Sequence, residues 1–290
     1  MHFTTYYPSA PLRPFVFRYF IVEDPAPNGQ VRVMPLVMPN GVCGLGFSYI
    51  NPFHYRRIDG MVRQLSSANL IGMHDVPYTA QWDGTVGMLV VLFHPLGLSR
   101  VFGEDMSQMK NAIAPLADFG FRGVEEVCEQ LSRLYSHREK IRYIEQWLGR
   151  HIGSGPAGPP PVLADVVDRI IRSRGQEPLH RIARAEGVHV RYIERYFSRF
   201  IGLSPKTFSE IIRFNHLVTE ILFRNNLTLD EMTFLGGFAD KSHLVRHFTK
   251  IARMTPSQFL AYLSEGPVAQ VTNLHNAYLL FDGGASDDRH

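Results

Sequence analysis

The residues with the clearest chemical use are two arginines, Arg195 and Arg246, which lie 51 positions apart. Each is followed by two aromatic residues, Tyr196-Phe197 in one case and His247-Phe248 in the other. A guanidinium group can donate two parallel hydrogen bonds to O6 and N7 of guanine in the major groove of DNA. The chemistry that these residues predict is therefore recognition of bases through hydrogen bonds, without covalent chemistry.

Both arginines belong to an internal repeat. Gly187-Val188 returns 50 positions later as Gly237-Phe238, and Ser204-Pro205 returns 51 positions later as Thr255-Pro256. Glycine adopts the left-handed backbone conformation at little cost, so it can end a helix and turn the chain sharply. Each copy thus predicts a short helix, a glycine turn and a second helix. That arrangement is a helix-turn-helix, which places its second helix in the major groove.

The second helix of each copy should have one buried face and one face toward DNA. Apolar residues recur at helical spacing and mark the buried face, at Ile193, Phe197, Phe200, Leu244, Phe248 and Ile251. On the other face we predict base contacts from Arg191, Glu194, Arg195, Lys241, Ser242, Val245 and Arg246. We predict contacts to phosphates from Arg184, Arg199, Lys206 and Lys250.

A long helix, predicted over about residues 205–225, joins the two copies. Such a helix would hold the two recognition helices rigidly, so that they could enter successive major grooves about 34 Å apart. The surrounding segment, 162–265, contains 15 Lys and Arg against 11 Asp and Glu, although the whole chain has a net charge of only +3. This local basic excess favours binding to phosphates.

A Gly- and Pro-rich segment at 153–161, GSGPAGPPP, divides the chain because neither a helix nor a strand persists in such a composition. We predict an effector-binding or dimerisation domain over 1–152, a linker over 153–161, a DNA-binding domain over 162–265 and a tail over 266–290. The start of the sequence lacks a signal-peptide pattern, and no apolar run reaches the roughly 18–20 residues of a membrane span. We therefore expect a cytoplasmic protein with no membrane partner.

The first domain begins with runs of aromatic and β-branched residues that predict strands, at 15–22, 31–38, 42–50, 69–73 and 86–93. Helical spacing follows at 96–102, 121–135 and 138–152. The predicted fold class is α+β: a small antiparallel β domain with C-terminal helices, followed by an all-α domain of two helix-turn-helix subdomains. The last of these helices carries an apolar stripe, which predicts either intradomain core or a dimer contact. The stripe consists of Ile141, Ile144, Leu148 and Ile152, with Trp147 beside it.

Candidates for other chemistry in the first domain are His54, His74, His94 and Cys43. The histidines form no His-x-His pair, so we predict structural hydrogen bonds, with metal or effector binding as the alternative. Cys43 would be the alkyl acceptor if this domain were a sensor enzyme fused to a DNA-binding tail. The chain has neither a Gly-rich phosphate loop nor a Gly-x-Ser-x-Gly motif, so we predict no catalytic residue, cofactor or metal, and no enzyme. A third hypothesis is a helical interaction module that no longer binds DNA.

The run 237–248, GFADKSHLVRHF, followed by MTPSQF at 254–259, resembles the signature of the AraC/XylS family of transcription regulators. The resemblance covers about residues 162–263. It implies seven helices in two subdomains, with recognition helices near 189–200 and 240–251. It also implies double-stranded promoter DNA and RNA polymerase as partners. Two positions depart from the family pattern, since Arg253 stands where glycine is usual and Thr233 where alanine is usual.

The first half resembles, less specifically, a compact regulatory domain of one AraC subgroup. The likeness rests on Pro11-Leu12, Phe15-Val16, Met38-Pro39-Asn40-Gly41 and the run 91–97, VLFHPLG. In the wider family such domains sense small molecules or mediate dimerisation. The resemblance therefore implies a small-molecule effector or a second copy of the chain as a further partner, and it names no ligand.

Overall fold

The computed structural model describes residues 2–27, 29–34, 36–58, 60–103, 105–152, 158–224 and 227–265. The strands of the first half are β1 (His2–Tyr6), β2 (Val16–Asp24), β3 (Val31–Val33), β4 (Cys43–Ser48), β5 (His54–Arg57), β6 (Val62–Gln64), β7 (Ala68–Ile71), β8 (Tyr78–Asp83), β9 (Val86–Phe93) and β10 (Ile113–Pro115). The predicted strand over 31–38 is confirmed only at its start, because beyond β3 the pairing with β8 is reduced to a bridge between Val37 and Tyr78.

These strands pair into two antiparallel sheets. One has six strands in the order β1-β2-β9-β4-β7-β10, and the other has four in the order β3-β8-β5-β6. Strand β9 is apolar along its whole length because both of its faces are covered. Leu89, Val91 and Phe93 belong to the main core, whereas Met88 and Val90 line a cavity between the two sheets.

The helices are α1 (Gly97–Phe102), α2 (Val124–Arg133), α3 (His137–His151), α4 (Pro161–Arg172), α5 (Leu179–Ala185), α6 (Val190–Ile201), α7 (Pro205–Phe223), α8 (Leu229–Leu235), α9 (Lys241–Ala252) and α10 (Pro256–Glu265). Seven of them, α4 to α10, form the C-terminal all-α part, so the predicted α+β class is confirmed. None of the helices within the described residues is long and apolar enough to cross a membrane.

Helix α3 covers the six-stranded sheet. A capping box between Ser136 and Glu139 starts this helix. Its predicted apolar stripe is buried inside the domain, and Trp147 lies edge-on to Phe47 of β4 with ring centroids 5.5 Å apart. Ile141, Ile144, Trp147 and Leu148 are therefore intradomain core, as one of the two alternatives predicted, and Ile152 at the end of the helix is partly buried.

The linker predicted at 153–161 can be followed only in part, because residues 153–157 lie outside the described residues. Residues 158–160 have no regular structure, and α4 begins at Pro161, the last position of the predicted linker. The predicted tail over 266–290, including its apolar stretch at 278–281, also lies outside the described residues.

Among the described residues, several contacts join the two halves. A short 3-10 helix, Met106–Gln108, packs against the C-terminal end of α6. The Asn215 side chain in α7 donates a hydrogen bond to the Pro39 carbonyl over 3.2 Å, and the Leu36 backbone N–H donates to the Tyr262 hydroxyl over 2.8 Å. Buried apolar residues of both halves accordingly form one continuous core.

Candidate DNA-binding surface

The first helix-turn-helix unit consists of α5 and α6. Gly187 lies between them with φ at +66°, in the left-handed region that the sequence predicted. Ile193 and Phe197 are fully buried, and Phe200 is nearly so. Arg191, Glu194 and Arg195 are exposed on the other face of α6, as predicted.

The second unit consists of α8 and α9, and its turn is one residue longer. Thr228 and Glu231 form a capping box at the start of α8, and Gly237 has φ at +61°. The Asp240 carboxylate accepts a hydrogen bond from the His243 N–H over 2.7 Å and so caps the N-terminus of α9. Phe238 is buried in the angle between the two helices.

The predicted base-contact residues of α9 lie along its outer face. Lys241, Ser242 and Arg246 are exposed, and Val245 is half-buried. The Lys241 ammonium lies 2.9 Å from the Asp230 carboxylate of α8. An exposed ion pair contributes little to stability in water, so Lys241 can leave Asp230 and contact DNA at a small cost in free energy.

Arg195 and Arg246 occupy corresponding places on the two recognition helices. The Arg195 guanidinium lies over the Tyr196 ring, 4.7 Å from its centroid, and donates to the Tyr196 hydroxyl over 3.1 Å. In this rotamer the Arg195 side chain rests on its own helix, so base contact requires it to swing outward.

The predicted phosphate-contact residues are all exposed but differ in their surroundings. Arg184 follows the core-facing part of α5, and Lys206 lies in the first turn of α7 behind the Ser204 cap, whose hydroxyl accepts the Thr207 N–H. Lys250 forms an ion pair with Glu210 of α7 at 2.6 Å. The fourth, Arg199, is the one that faces the N-terminal half.

Arg199 lies close to Asp105, which precedes the short 3-10 helix. Burial alone would raise the pKa of the Asp105 carboxyl, but hydrogen bonds from Ser107 and the positive charge of Arg199 lower the pKa below its usual value. A phosphate contact from Arg199 would therefore compete with this attraction between the two halves.

Arg213 of α7 is a functional residue that the sequence pattern did not reveal. Its guanidinium donates to the carbonyls of Gly236 and Gly237 in the second turn. It also lies over the Phe238 ring, 3.9 Å from the centroid. Arg213 thus fixes the turn that aims α9, and no sequence signal could have shown it because these partners are 23 to 25 positions away.

The two departures from the family pattern are both accommodated. Arg253 adopts the left-handed conformation, with φ at +60°, at the C-terminus of α9, where glycine would be unstrained. The Thr233 hydroxyl donates to the Leu229 carbonyl one turn earlier, over 2.6 Å, so its polar group is satisfied within α8.

The first half offers little for catalysis. Cys43 is buried, and that burial raises the pKa of its thiol to about 12, so it is a poor nucleophile. His74 is also buried, with both ring nitrogens in hydrogen bonds, and burial lowers the pKa of His94. Within the described part of the chain no three His, Cys, Asp or Glu side chains are grouped so that they could hold a metal ion.

A family model described as a helix-turn-helix domain matches residues 182–262, which run from α5 into α10 and include both recognition helices. This part of the chain is therefore a helix-turn-helix domain, as the internal repeat predicted. A helix-turn-helix domain over this segment supports a role as a DNA-binding transcription regulator. A second model, described as a domain of unknown function (DUF6597), matches residues 4–115.

The chain is also similar to several solved structures. ToxT from Vibrio cholerae is 9% identical with a TM-score of 0.46, covering 90% of this chain and 98% of that one. A ToxT structure with bound unsaturated fatty acid is 9% identical with a TM-score of 0.42, covering 84% and 95%. The AraC-like activator CuxR is 15% identical with a TM-score of 0.21, covering 86% and 78%. No curated protein matches the chain.

Proposed function

We propose that this regulator is a one-component protein that reads two successive major grooves of promoter DNA, with α6 in one groove and α9 in the next. The observation that carries the proposal is the repeated position of Arg195 and Arg246. Both are exposed on helices that present the same buried face to the domain core. Two equivalent guanidinium groups on one domain suit two guanines on one face of the duplex.

The length of helix α7, which joins the two helix-turn-helix units, supports binding to two successive major grooves. Helix α7 has 19 residues, which at 1.5 Å per residue gives a rod of about 28 Å. That length is comparable with the roughly 34 Å between successive major grooves. The contacts expected to hold the domain in register come from Arg184, Lys206 and Lys250, which would bind phosphates without reading sequence.

The first half would act as the regulatory domain and bind an effector or a second copy of the chain. One segment, residues 36–40, links its interior to the DNA-binding domain. Leu36 and Asn40 line the cavity between the sheets, while Leu36 and Pro39 make the hydrogen bonds to Tyr262 and Asn215 described above. A molecule in the cavity would therefore press on the same segment that holds α7 and α10. RNA polymerase is the expected further partner on the promoter.

The proposal is tested by measuring affinity for a selected duplex and for a scrambled duplex with single alanine variants. Arg195→Ala or Arg246→Ala should each weaken binding to the selected duplex by about 1–3 kcal/mol and relax the base preference at one position. Lys206→Ala should weaken binding to both duplexes equally. It should also reduce the slope of log affinity against log salt concentration by about the amount of one phosphate contact. Arg150→Ala, an exposed arginine of α3 in the first half, is the matched control and should change neither. Unchanged sequence preference in the double variant of Arg195 and Arg246 would overturn the assignment.

A further inference from the structure

A cavity of about 190 Å³ lies between the two sheets of the N-terminal half. Phe20, Val90 and Leu92 of the six-stranded sheet form one wall, and Tyr55 and Ala80 of the four-stranded sheet form the other. Native interiors are close-packed and contain few voids larger than a water molecule. An engineered apolar cavity of about 150 Å³ binds benzene, so this volume suits a molecule with a single ring and short substituents.

One end of the cavity is polar and built from three aromatic residues, Tyr55, His74 and Tyr78. The His74 Nδ1 lies 2.8 Å from the Gly72 carbonyl and therefore donates to it. Its Nε2, 3.1 Å from the Tyr55 oxygen, then accepts the Tyr55 proton. The Tyr78 ring stacks at a tilt on both, with centroids 4.3 Å from His74 and 5.3 Å from Tyr55.

Tyr78 differs from its two neighbours because no hydrogen bond joins its hydroxyl to the described residues, and its half-buried side chain lines the cavity. Burial raises the pKa of this phenol, so it stays protonated and can both donate and accept. The hydroxyl is not fully enclosed by protein atoms, so a polar group of a ligand can reach it and supply a hydrogen-bond partner.

The cavity also lacks charge. None of the described residues that line it is Lys, Arg, Asp or Glu. Burial lowers the pKa of His74 to about 4, so its ring is neutral near pH 7. A carboxylate that entered would lose its hydration without gaining a cationic partner, which strongly disfavours anions.

We propose that this cavity binds an uncharged, mainly apolar molecule with one ring and one hydroxyl group, and that the Tyr78 hydroxyl recognises that group. The ligand class is thus that of simple phenols and ring alcohols. The inference rests on the regulatory role proposed above for the N-terminal half, to which it adds the chemistry of the effector.

The test uses three probes of similar size, 4-ethylphenol, ethylbenzene and 4-ethylbenzoate, titrated into the full-length protein by calorimetry at pH 7. We expect 4-ethylphenol to bind, ethylbenzene to bind roughly tenfold more weakly for want of one hydrogen bond, and 4-ethylbenzoate to bind at least roughly a hundredfold more weakly. Tyr78→Phe should remove the preference of 4-ethylphenol over ethylbenzene. Tyr135→Phe, the same change at a fully exposed tyrosine, should leave it intact.

A second variant, Val90→Phe, fills the cavity and should abolish binding of 4-ethylphenol while thermal unfolding stays cooperative. The inference is overturned if 4-ethylbenzoate binds as well as 4-ethylphenol, if Tyr78→Phe keeps the preference, or if none of the probes binds. Duplex affinity measured with and without 4-ethylphenol separates the two proposals. Binding of the probe without any change in duplex affinity supports the ligand class and refutes the regulatory role on which it rests.

Discussion

Replacing Arg213 should loosen the second helix-turn-helix unit and leave the first intact. Its guanidinium holds the carbonyls of Gly236 and Gly237 and covers the Phe238 ring. In Arg213→Met the aliphatic stem still packs on the ring, but both charge-assisted hydrogen bonds and the cation–π contact are lost.

The expected cost follows from these contacts. A hydrogen bond to a charged group contributes about 1.5–3 kcal/mol, and a cation–π contact about 0.5–2 kcal/mol. Because the Arg213 side chain is only half-buried, part of this is recovered by water, and we expect a net loss of about 2–4 kcal/mol. Arg224→Met is the matched control at the C-terminal cap of α7. The Arg224 side chain is mostly exposed and pairs with Glu220 one turn earlier, so its loss should cost no more than about 0.5 kcal/mol.

The assay is hydrogen exchange of the native protein, read separately for α5–α6 and α8–α9, together with urea unfolding. Arg213→Met should speed exchange in α8 and α9 and leave α5 and α6 near their original rates. Equal effects of the two variants, or equal loss of protection in both units, would refute the reasoning that Arg213 fixes the second turn.

Three further outcomes are expected. Gly202 has φ at +83°, and a Cβ there would lie 2.6 Å from the Met106 carbonyl oxygen, whereas Gly187 has φ at +66° and open space around it. In urea unfolding, Gly202→Ala should therefore lower the free energy of unfolding by about 1–3 kcal/mol more than Gly187→Ala. Burial, followed by nearby positive charges, lowers the pKa of His247 to about 4, below the roughly 6.5 expected unfolded. The unfolded chain therefore binds the extra proton, and His247 alone should lower stability by about 3 kcal/mol as pH drops from about 6.5 to 4, in addition to the loss from His74; a His247→Gln variant that keeps the full slope would contradict this. Arg253→Gly should raise the unfolding free energy by about 1 kcal/mol because it relieves the left-handed strain, and a loss instead would show that the Arg253 side chain stabilises the fold.

The helix-turn-helix units could be predicted closely from sequence because their determinants are local. The glycine turns, the Asp240 cap and the i, i+4, i+7 spacing of Ile193, Phe197 and Phe200 all act within a few residues of one another. Strand β9 could be predicted equally well, because a strand that is covered on both faces has an uninterrupted run of apolar residues. The base and phosphate contacts assigned to individual side chains stay predictions, although each of those side chains reaches the surface.

The four-stranded sheet could hardly be predicted from sequence, because its determinants are not all local. Strands β5 and β6 read HYRR and VRQ, without an apolar alternation. They form a local pair, but β5 joins the sheet only by pairing with β8, more than 20 positions later in the chain. The cavity depends on that second sheet and could not be foreseen either. His74 was correctly interpreted as hydrogen-bonded, but its place beside Tyr55 and Tyr78 depends on strands that had not been predicted.

The most direct test of the central claim is capture of sheared genomic DNA by the full-length protein, with the double variant Arg195→Ala/Arg246→Ala in parallel and both sets of fragments sequenced. The tandem reading predicts enrichment of sites that carry two short motifs about one helical turn apart, roughly 10–10.5 base pairs, and loss of both motifs in the variant. A single motif, or the same enrichment in the variant, would contradict the claim that α6 and α9 read two successive grooves.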